Sequence, residues 1–289
     1  NVRLWGNCRN IHLSCCVFKV VPSNLKGKSK SSQEWMARQL NDPYVKKAHD
    51  MNYRARSAFK LIEIDDKVKI LKPGQTVVEC GAAPGAWSQV IVQRINSNGK
   101  AVVKKRKIGT VIGIDLLPIA PLEGAIFLDG CDFTSVESVE KIKAILAARS
   151  MDKVEGDQPY IKEGLQETAE REVVEGENNN VNVKKDEVKS KSGEMNGMVD
   201  VVLSDMAPNA TGQRDTDHPR IMRLVEAALV FAVKNGKPGG HFLAKVWDGS
   251  EVKRLESVME KYYEKVSRHK PQSSRNDSSE IFILGRFKK

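Results

Sequence analysis

Apolar positions along this chain fall into two kinds of run, and the two alternate. Short continuous runs read as buried strands, and longer ones with helical spacing read as helices. From the turn Pro73-Gly74 onward the order is strand Thr76–Cys80, helix Trp87–Ile95, strand Val111–Asp115, strand Ala125–Leu128, helix Val136–Ala148 and strand Val199–Leu203. Helix Pro219–Val233 follows, with proline suited to a first turn where its missing N–H costs nothing. After the turn Pro238-Gly239-Gly240 come strand His241–Val246, helix Glu251–Tyr263 and strand Ser279–Leu284, with Phe287 just past it. Upstream, Ser31-Ser32 would cap a short amphipathic helix through Glu34, Trp35, Met36 and Leu40. A second helical stretch carries Tyr53, Ala58, Phe59, Leu61 and Ile62 on one side and the basic Arg54, Arg56 and Lys60 on the other. Strands alternating with helices predict the α/β class, with a Rossmann-like, doubly wound, mostly parallel sheet.

Two segments interrupt the alternation. Residues 98–110 contain Lys104-Lys105-Arg106-Lys107 and read as a basic loop insertion. Residues 150–198 are rich in charge, contain Asn178-Asn179-Asn180 and read as a disordered insertion. Both lead from a helix back to the start of a strand. In a parallel sheet that edge lies opposite the ligand crevice, so neither insertion is expected to build the site. One domain is therefore expected over 31–289, preceded by a basic leader at 1–30.

Charge adds a partner to this picture. The whole chain carries +10, but residues 150–198 hold 12 acids against seven Lys and Arg, so the remainder carries +15. A body this basic favours a polyanion, because each cation that meets a phosphate releases a counterion. The first 33 residues have no Asp or Glu but six Lys and Arg, which resembles an organelle transit peptide. A mitochondrial matrix location is expected on that ground, with nuclear or cytoplasmic as the alternatives; the Lys104–Lys107 run reads as a solvated loop, an RNA contact or a nuclear signal. Five cysteines without a CxxC pair indicate neither a disulfide framework nor a zinc site, so no metal is expected. No apolar run reaches the ~20 residues of a membrane span.

Candidate chemistry gathers where the predicted strands end. Glu79-Cys80-Gly81-Ala82-Ala83-Pro84-Gly85-Ala86-Trp87 joins the first strand to its helix. Small residues there let backbone approach a ligand, but neither GxGxxG nor a P-loop is present. The turn suits a cofactor with a carboxylate and no phosphates, such as S-adenosylmethionine. Asp115 closes the second strand, where an acid binds ribose hydroxyls, and Asp132 follows the third, where an acid could accept from an adenine amino group. Asp129 is a near neighbour and competes for that role, and either acid could be a solvated loop residue or a helix cap. Asp205 ends the fourth strand. Lys245 lies within the apolar fifth strand, where a lysine is costly unless paired or directed at a site. Glu280 opens the last strand, and Lys60 lies on the basic helix.

These residues together resemble the FtsJ-type ribose 2′-O-methyltransferases. The resemblance runs from about Ser31 to the C-terminus outside the insertions. It rests on Tyr53-Arg54-Ala55-Arg56-Ser57-Ala58-Phe59-Lys60-Leu61, the Gly-Ala-Ala-Pro-Gly turn, Asp115-Leu116-Leu117-Pro118, Ser204-Asp205-Met206-Ala207-Pro208-Asn209 and Ser278-Ser279-Glu280. It implies an S-adenosylmethionine-dependent methyltransferase fold and a catalytic tetrad of Lys60, Asp205, Lys245 and Glu280. It also implies cofactor contacts at Gly81, Pro84, Gly85, Trp87, Asp115, Asp132 and Asp205. The implied partner is ribosomal RNA or a pre-ribosomal large subunit, with a uridine ribose of mitochondrial large-subunit RNA as target. Asp42-Pro43-Tyr44-Val45-Lys46, Gly85-Ala86-Trp87-Ser88-Gln89-Val90 and Pro208-Asn209-Ala210-Thr211-Gly212 carry that narrower likeness. A 2′-O-methyltransferase of transfer RNA or of an mRNA cap, and a non-catalytic ribosome-assembly factor, are the competing expectations. Lys245 is expected to act as base or as orienting cation. Arg54, Arg56, Lys60, Lys237, Arg275 and Arg286 are candidate phosphate contacts.

Overall fold

A computed structural model of the chain describes residues 33, 36, 37, 39–101, 107–152, 197–209, 211–275 and 277–289. The leader at 1–30, residues 102–106 of the first insertion and nearly all of the second lie outside the described residues, as does part of the short helix expected at 31–40.

Seven strands form one sheet. In chain order they are β1 (Thr76–Cys80), β2 (Thr110–Ile114), β3 (Ala125–Leu128), β4 (Val199–Ser204), β5 (Gly236–Trp247), β6 (Tyr263–His269) and β7 (Glu280–Lys288). Their spatial order is β3-β2-β1-β4-β5-β7-β6. The first five strands pair in parallel, while β7 runs antiparallel to both β5 and β6. Six helices are found among the described residues. They are α1 (Pro43–Asp50), α2 (Ala58–Val68), α3 (Ala86–Ile95), α4 (Val136–Asp152), α5 (Arg214–Asn235) and α6 (Glu251–Tyr262).

Burial on both faces explains the continuous apolar runs. On one face Val78, Ile112, Val202 and Ala244 pack with Ile142, Val225, Leu229 and Val252 from the covering helices. On the other, Val77, Val111, Leu203 and Leu243 pack with Leu61, Ile64, Ile91 and Trp87. The central strands β1 and β2 are buried at every position, whereas β3, at the edge, is only partly buried.

Five elements differ from expectation. The basic helical stretch expected to include Tyr53, Arg54 and Arg56 begins only at Ala58, as α2. Helix α1 lies in a stretch for which no element was expected; Asp42 caps it by accepting from the Tyr44 N–H at 3.0 Å and Pro43 opens it. Helix α5 starts five residues before Pro219, with Asp215 and Asp217 in its first turn, where carboxylates suit the helix dipole. The polypeptide after α6 becomes strand β6 rather than ending as helix. This strand pairs only with β7, so its outer positions carry charge and only Tyr263 is fully buried. Strand β7 continues through Phe287, at φ +58°, to Lys288.

Candidate active site

Strand order reverses between β1 and β4, and an open α/β sheet places its ligand crevice at that switch point, beyond the strands' carboxyl ends. Cys80 and Ser204 are register partners there, and the Asp205 N–H donates to the Cys80 carbonyl at 3.1 Å. The glycine turn after β1 and the Asp205 loop after β4 therefore lie side by side. Gly81 has φ +80°, and a Cβ on it would stand 2.8 Å from the Met206 backbone nitrogen. Gly81→Ala is accordingly expected to cost about 1–3 kcal/mol of stability through a disfavoured dihedral and backbone overlap. Urea unfolding measures this, and a loss under about 0.5 kcal/mol, ordinary for a neutral surface change, would mean the turn is not constrained.

Two lysine–acid pairs flank the switch point. Ser204 pairs with Ala244, which brings Asp205 beside Lys245 one residue further along both strands. Lys245 Nζ donates to the Asp205 carbonyl oxygen at 2.6 Å and stands 2.8 Å from its Oδ1. That Oδ1 is buried against the Lys245 ammonium, and as a carboxylate oxygen it has a second lone pair to offer a hydroxyl or ammonium of a ligand. On the neighbouring antiparallel strand, Glu280 is joined to Lys60 of α2 at 2.6 Å and accepts from Ser274 Oγ at 2.9 Å. Burial pushes the Glu280 carboxyl up, but Lys60, Lys245 and Ser274 together outweigh it and hold the group below its usual value. The structure thus brings Lys60, Asp205, Lys245 and Glu280 together in two pairs, linked by the field of Lys245 on Glu280.

The residues expected around a cofactor are placed less uniformly. Asp115 Oδ2 accepts from the Ala83 N–H and Oδ1 from the Leu117 N–H, which ties the glycine turn to the end of β2. Each oxygen keeps a lone pair for a ribose hydroxyl, so the donor set fits the expected use. Gly85 has φ +99° and caps α3, and Pro84 lies between it and Ala83. The Trp87 side chain is 2% exposed, packs on Phe282 at 5.8 Å between ring centroids, and donates to the Ser57 carbonyl at 2.9 Å. Any contact it makes to a ligand must run through its backbone at the α3 N-terminus. Asp132 is exposed, and its Oδ1 accepts from both the N–H and the hydroxyl of Thr134.

Several expected phosphate contacts are corrected by position. Arg54 spends its guanidinium on the carbonyls of Pro84, Ala120 and Pro121, bracing the glycine turn. Arg56 is held by Asp42 and by the Ser273 carbonyl. Lys237, paired with Asp200 at 2.8 Å, sits at the amino end of β5, and Arg286 lies late in the antiparallel β7. Both are therefore at the rim opposite the crevice. Arg56, Lys60 and Arg275 line with Glu280 an open cavity of about 430 Å³, Lys60 paired with Glu280 at 2.6 Å and Arg275 with Asp42 at 3.5 Å.

One site residue was overlooked in the sequence. Glu79, next to last in the wholly buried β1, is 1% exposed, and its Oε2 accepts from Ser88 Oγ at 2.5 Å. Burial drives its pKa up to about 8; the Ser88 hydrogen bond opposes this, and the charges of Asp205 and Asp115 add to it. The signal was available, since an acid inside an apolar strand is as anomalous as Lys245. Among the described residues no helix is long and apolar enough to cross a membrane, and no cluster of three or more metal-ligating side chains is present.

A doubly wound sheet with a glycine turn at its switch point, and lysines held by acids beside that turn, is the frame of a Rossmann-like group-transfer enzyme. Residues 53–288 match the family described as FtsJ-like methyltransferase, and the chain belongs to that family. It is 44% identical to "rRNA methyltransferase 2, mitochondrial" of Drosophila melanogaster, across 97% of this chain and 94% of that one. It is 38% identical to "Ribosomal RNA large subunit methyltransferase E" of Cereibacter sphaeroides, across 92% and 88%. Among solved structures, a ribosomal RNA methyltransferase from Plasmodium falciparum shares the fold. The TM-score is 0.54 at 22% identity, over 82% of this chain and 98% of that one.

Proposed function

We propose that this protein transfers a methyl group from S-adenosylmethionine to the 2′-hydroxyl of a uridine ribose in large-subunit ribosomal RNA of mitochondria. The observation that carries this reading is the buried Lys245–Asp205 pair at the switch point, with Lys60–Glu280 on the adjoining strand. The relatives named for large-subunit and mitochondrial ribosomal RNA support the substrate and the compartment.

S-adenosylmethionine, when bound, supplies a sulfonium methyl already activated for in-line displacement, so alignment and one proton are what the protein must provide. Gly81 and Gly85 open the backbone at the turn, Asp115 offers lone pairs to ribose hydroxyls, and Asp205 accepts from a ligand donor. As an ammonium, Lys245 uses donors on Asp205 and directs another at the target oxygen, holding its developing negative charge; as a neutral amine it keeps its two N–H groups for Asp205 and takes the departing proton on its lone pair. Glu280, itself held by Ser274, fixes Lys60, and Arg56, Lys60 and Arg275 line the open cavity through which RNA phosphates would be positioned.

The test is incubation with radiolabelled S-adenosylmethionine and unmodified large-subunit ribosomal RNA. Label in a single ribose 2′-position supports the reading. Label only in transfer RNA or capped RNA would keep the reaction and discard the substrate, and no label in any RNA would leave an assembly factor. A reporter fused to residues 1–33 that stays outside mitochondria would remove the compartment.

A further inference from the structure

Beside the crevice, at the same carboxyl-end rim, lies a second cavity of about 520 Å³ between the start of α5 and the turn that follows β5. Its wall includes His218, which is 8% exposed and whose two ring nitrogens are buried without hydrogen-bond partners. Leaving such groups unpaired is costly in a folded protein, and a native site that does so usually has a ligand for them. Their present cover is Gly249, where an added Cβ would meet the imidazole at 2.6 Å. Both ring nitrogens lie within 3.0 Å of where that Cβ would stand, so the backbone of Gly249 packs directly against the polar edge of the ring, at the wall of the cavity. Next to His218 in sequence, Asp217 accepts from the N–H groups of Thr211 and Gly212 at 2.9 and 3.0 Å and ties the loop after β4 to the start of α5.

The lining selects the ligand's chemistry. Asp215, Glu226 and Glu251 outnumber Arg223 and Arg254, and Arg254 is already paired with both glutamates. A net acidic lining does not suit a phosphate. Met222 and Pro219 supply an apolar floor. An apolar floor, a buried imidazole with open donor and acceptor capacity and no net positive charge fit a neutral, planar heterocycle. The cavity also follows Lys245 by only four residues of chain, at Gly249, which is at most ~13 Å of extended strand.

We propose that this cavity seats an unpaired nucleobase of the RNA, next to the nucleotide whose ribose is methylated, with the His218 imidazole bonding the base edge. This rests on the reading of the protein as an RNA ribose methyltransferase. Splayed single-stranded bases are what proteins read in RNA, since the grooves of its duplex expose little sequence.

The experiment uses a large-subunit ribosomal RNA transcript carrying 4-thiouridine, irradiated with the full chain and mapped by mass spectrometry. A crosslink from one nucleotide to the segment 215–226 is expected. Removing that base from a synthetic RNA should then weaken binding to the unsubstituted protein about tenfold, the worth of one or two lost hydrogen bonds. His218→Phe should bind the intact RNA about tenfold more weakly and lose nothing further on removal of the base. Should His218→Phe fail to fold, Arg223→Trp, which crowds the cavity from an exposed position of α5, should show the same weakened binding and the same insensitivity to removal of the base. Crosslinks confined to the α2 side of the crevice, or equal base-removal penalties in variant and unsubstituted protein, overturn the proposal. Binding and crosslinking decide the base pocket, whereas absence of methyl label decides against the reaction, so the two failures are separable.

Discussion

Lys245→Ala is expected to lower methyl transfer to ribosomal RNA by about 10²- to 10⁴-fold, the usual contribution of a positioned proton-transfer group. The side chain is 10% exposed and held by the Asp205 carbonyl and carboxylate, so its nitrogen has one defined place beside the switch point. Its loss also leaves Asp205 without its counter-charge, at a cost of about 1–3 kcal/mol. Activity is therefore read on protein whose thermal unfolding remains cooperative, and binding of S-adenosylmethionine is measured alongside. Transfer within about threefold of the unsubstituted protein, well under one decade of rate, would remove Lys245 from the chemistry. Lys245→Arg divides the two roles. Arginine keeps the cation but cannot accept a proton near neutral pH, so retained transfer assigns charge stabilisation and its loss assigns the base.

The second large effect is on stability and comes from Glu79. Its carboxyl has a pKa of about 8 in the fold against 4.5 for the free side chain. Between those values the native state holds a proton that the unfolded chain has released. Stability contributed by the protonated form is thus complete below about pH 4.5 and declines as pH rises toward 8. The window spans several pH units at 1.36 kcal/mol each, so the cost above pH 8 is on the order of a few kcal/mol. Glu79→Gln mimics the protonated acid and can still accept from Ser88. It is expected to match the unsubstituted protein at pH 5 and to melt several degrees higher at pH 8.5, as a gain of this size implies for a domain of this length. Parallel melting curves for the two proteins across that range would show that Glu79 does not hold a proton in the fold.

Much of this molecule was legible because its sheet is buried on both faces. Thr76–Cys80 and Ala125–Leu128 came out at their observed bounds, and β2, β4 and α3 within one residue, since continuous apolar runs between turn residues have few other uses. The antiparallel edge was read poorly for the converse reason. Tyr263–His269 has one bonded neighbour and a charged outer side, so no apolar period marks it. Helix α1 was missed although Asp42-Pro43 is a start signal, because its polar sequence buries only Ala48.

The site divides in the same way. Residue types at strand ends pointed to Lys245, Asp205, Asp115 and the glycine turn, because an anomalous charge or a run of small residues is visible without coordinates. The chain alone also determined the class of sheet and hence which end carries the crevice. It did not determine which cations are free. Arg54 and Arg56 look like phosphate ligands in the sequence, yet carbonyls of distant loops and Asp42 consume their donors. Lys237 and Arg286 lie at the wrong rim because strand direction, not residue type, decides the end at which a side chain emerges. The pairing of Lys60 with Glu280, 220 positions apart, and the unsatisfied His218 depend on contacts that only the closed sheet creates. Local pattern follows from burial and backbone geometry, which neighbours in sequence already set, whereas the partner of a charge is chosen by which distant strands the fold brings within a few ångströms.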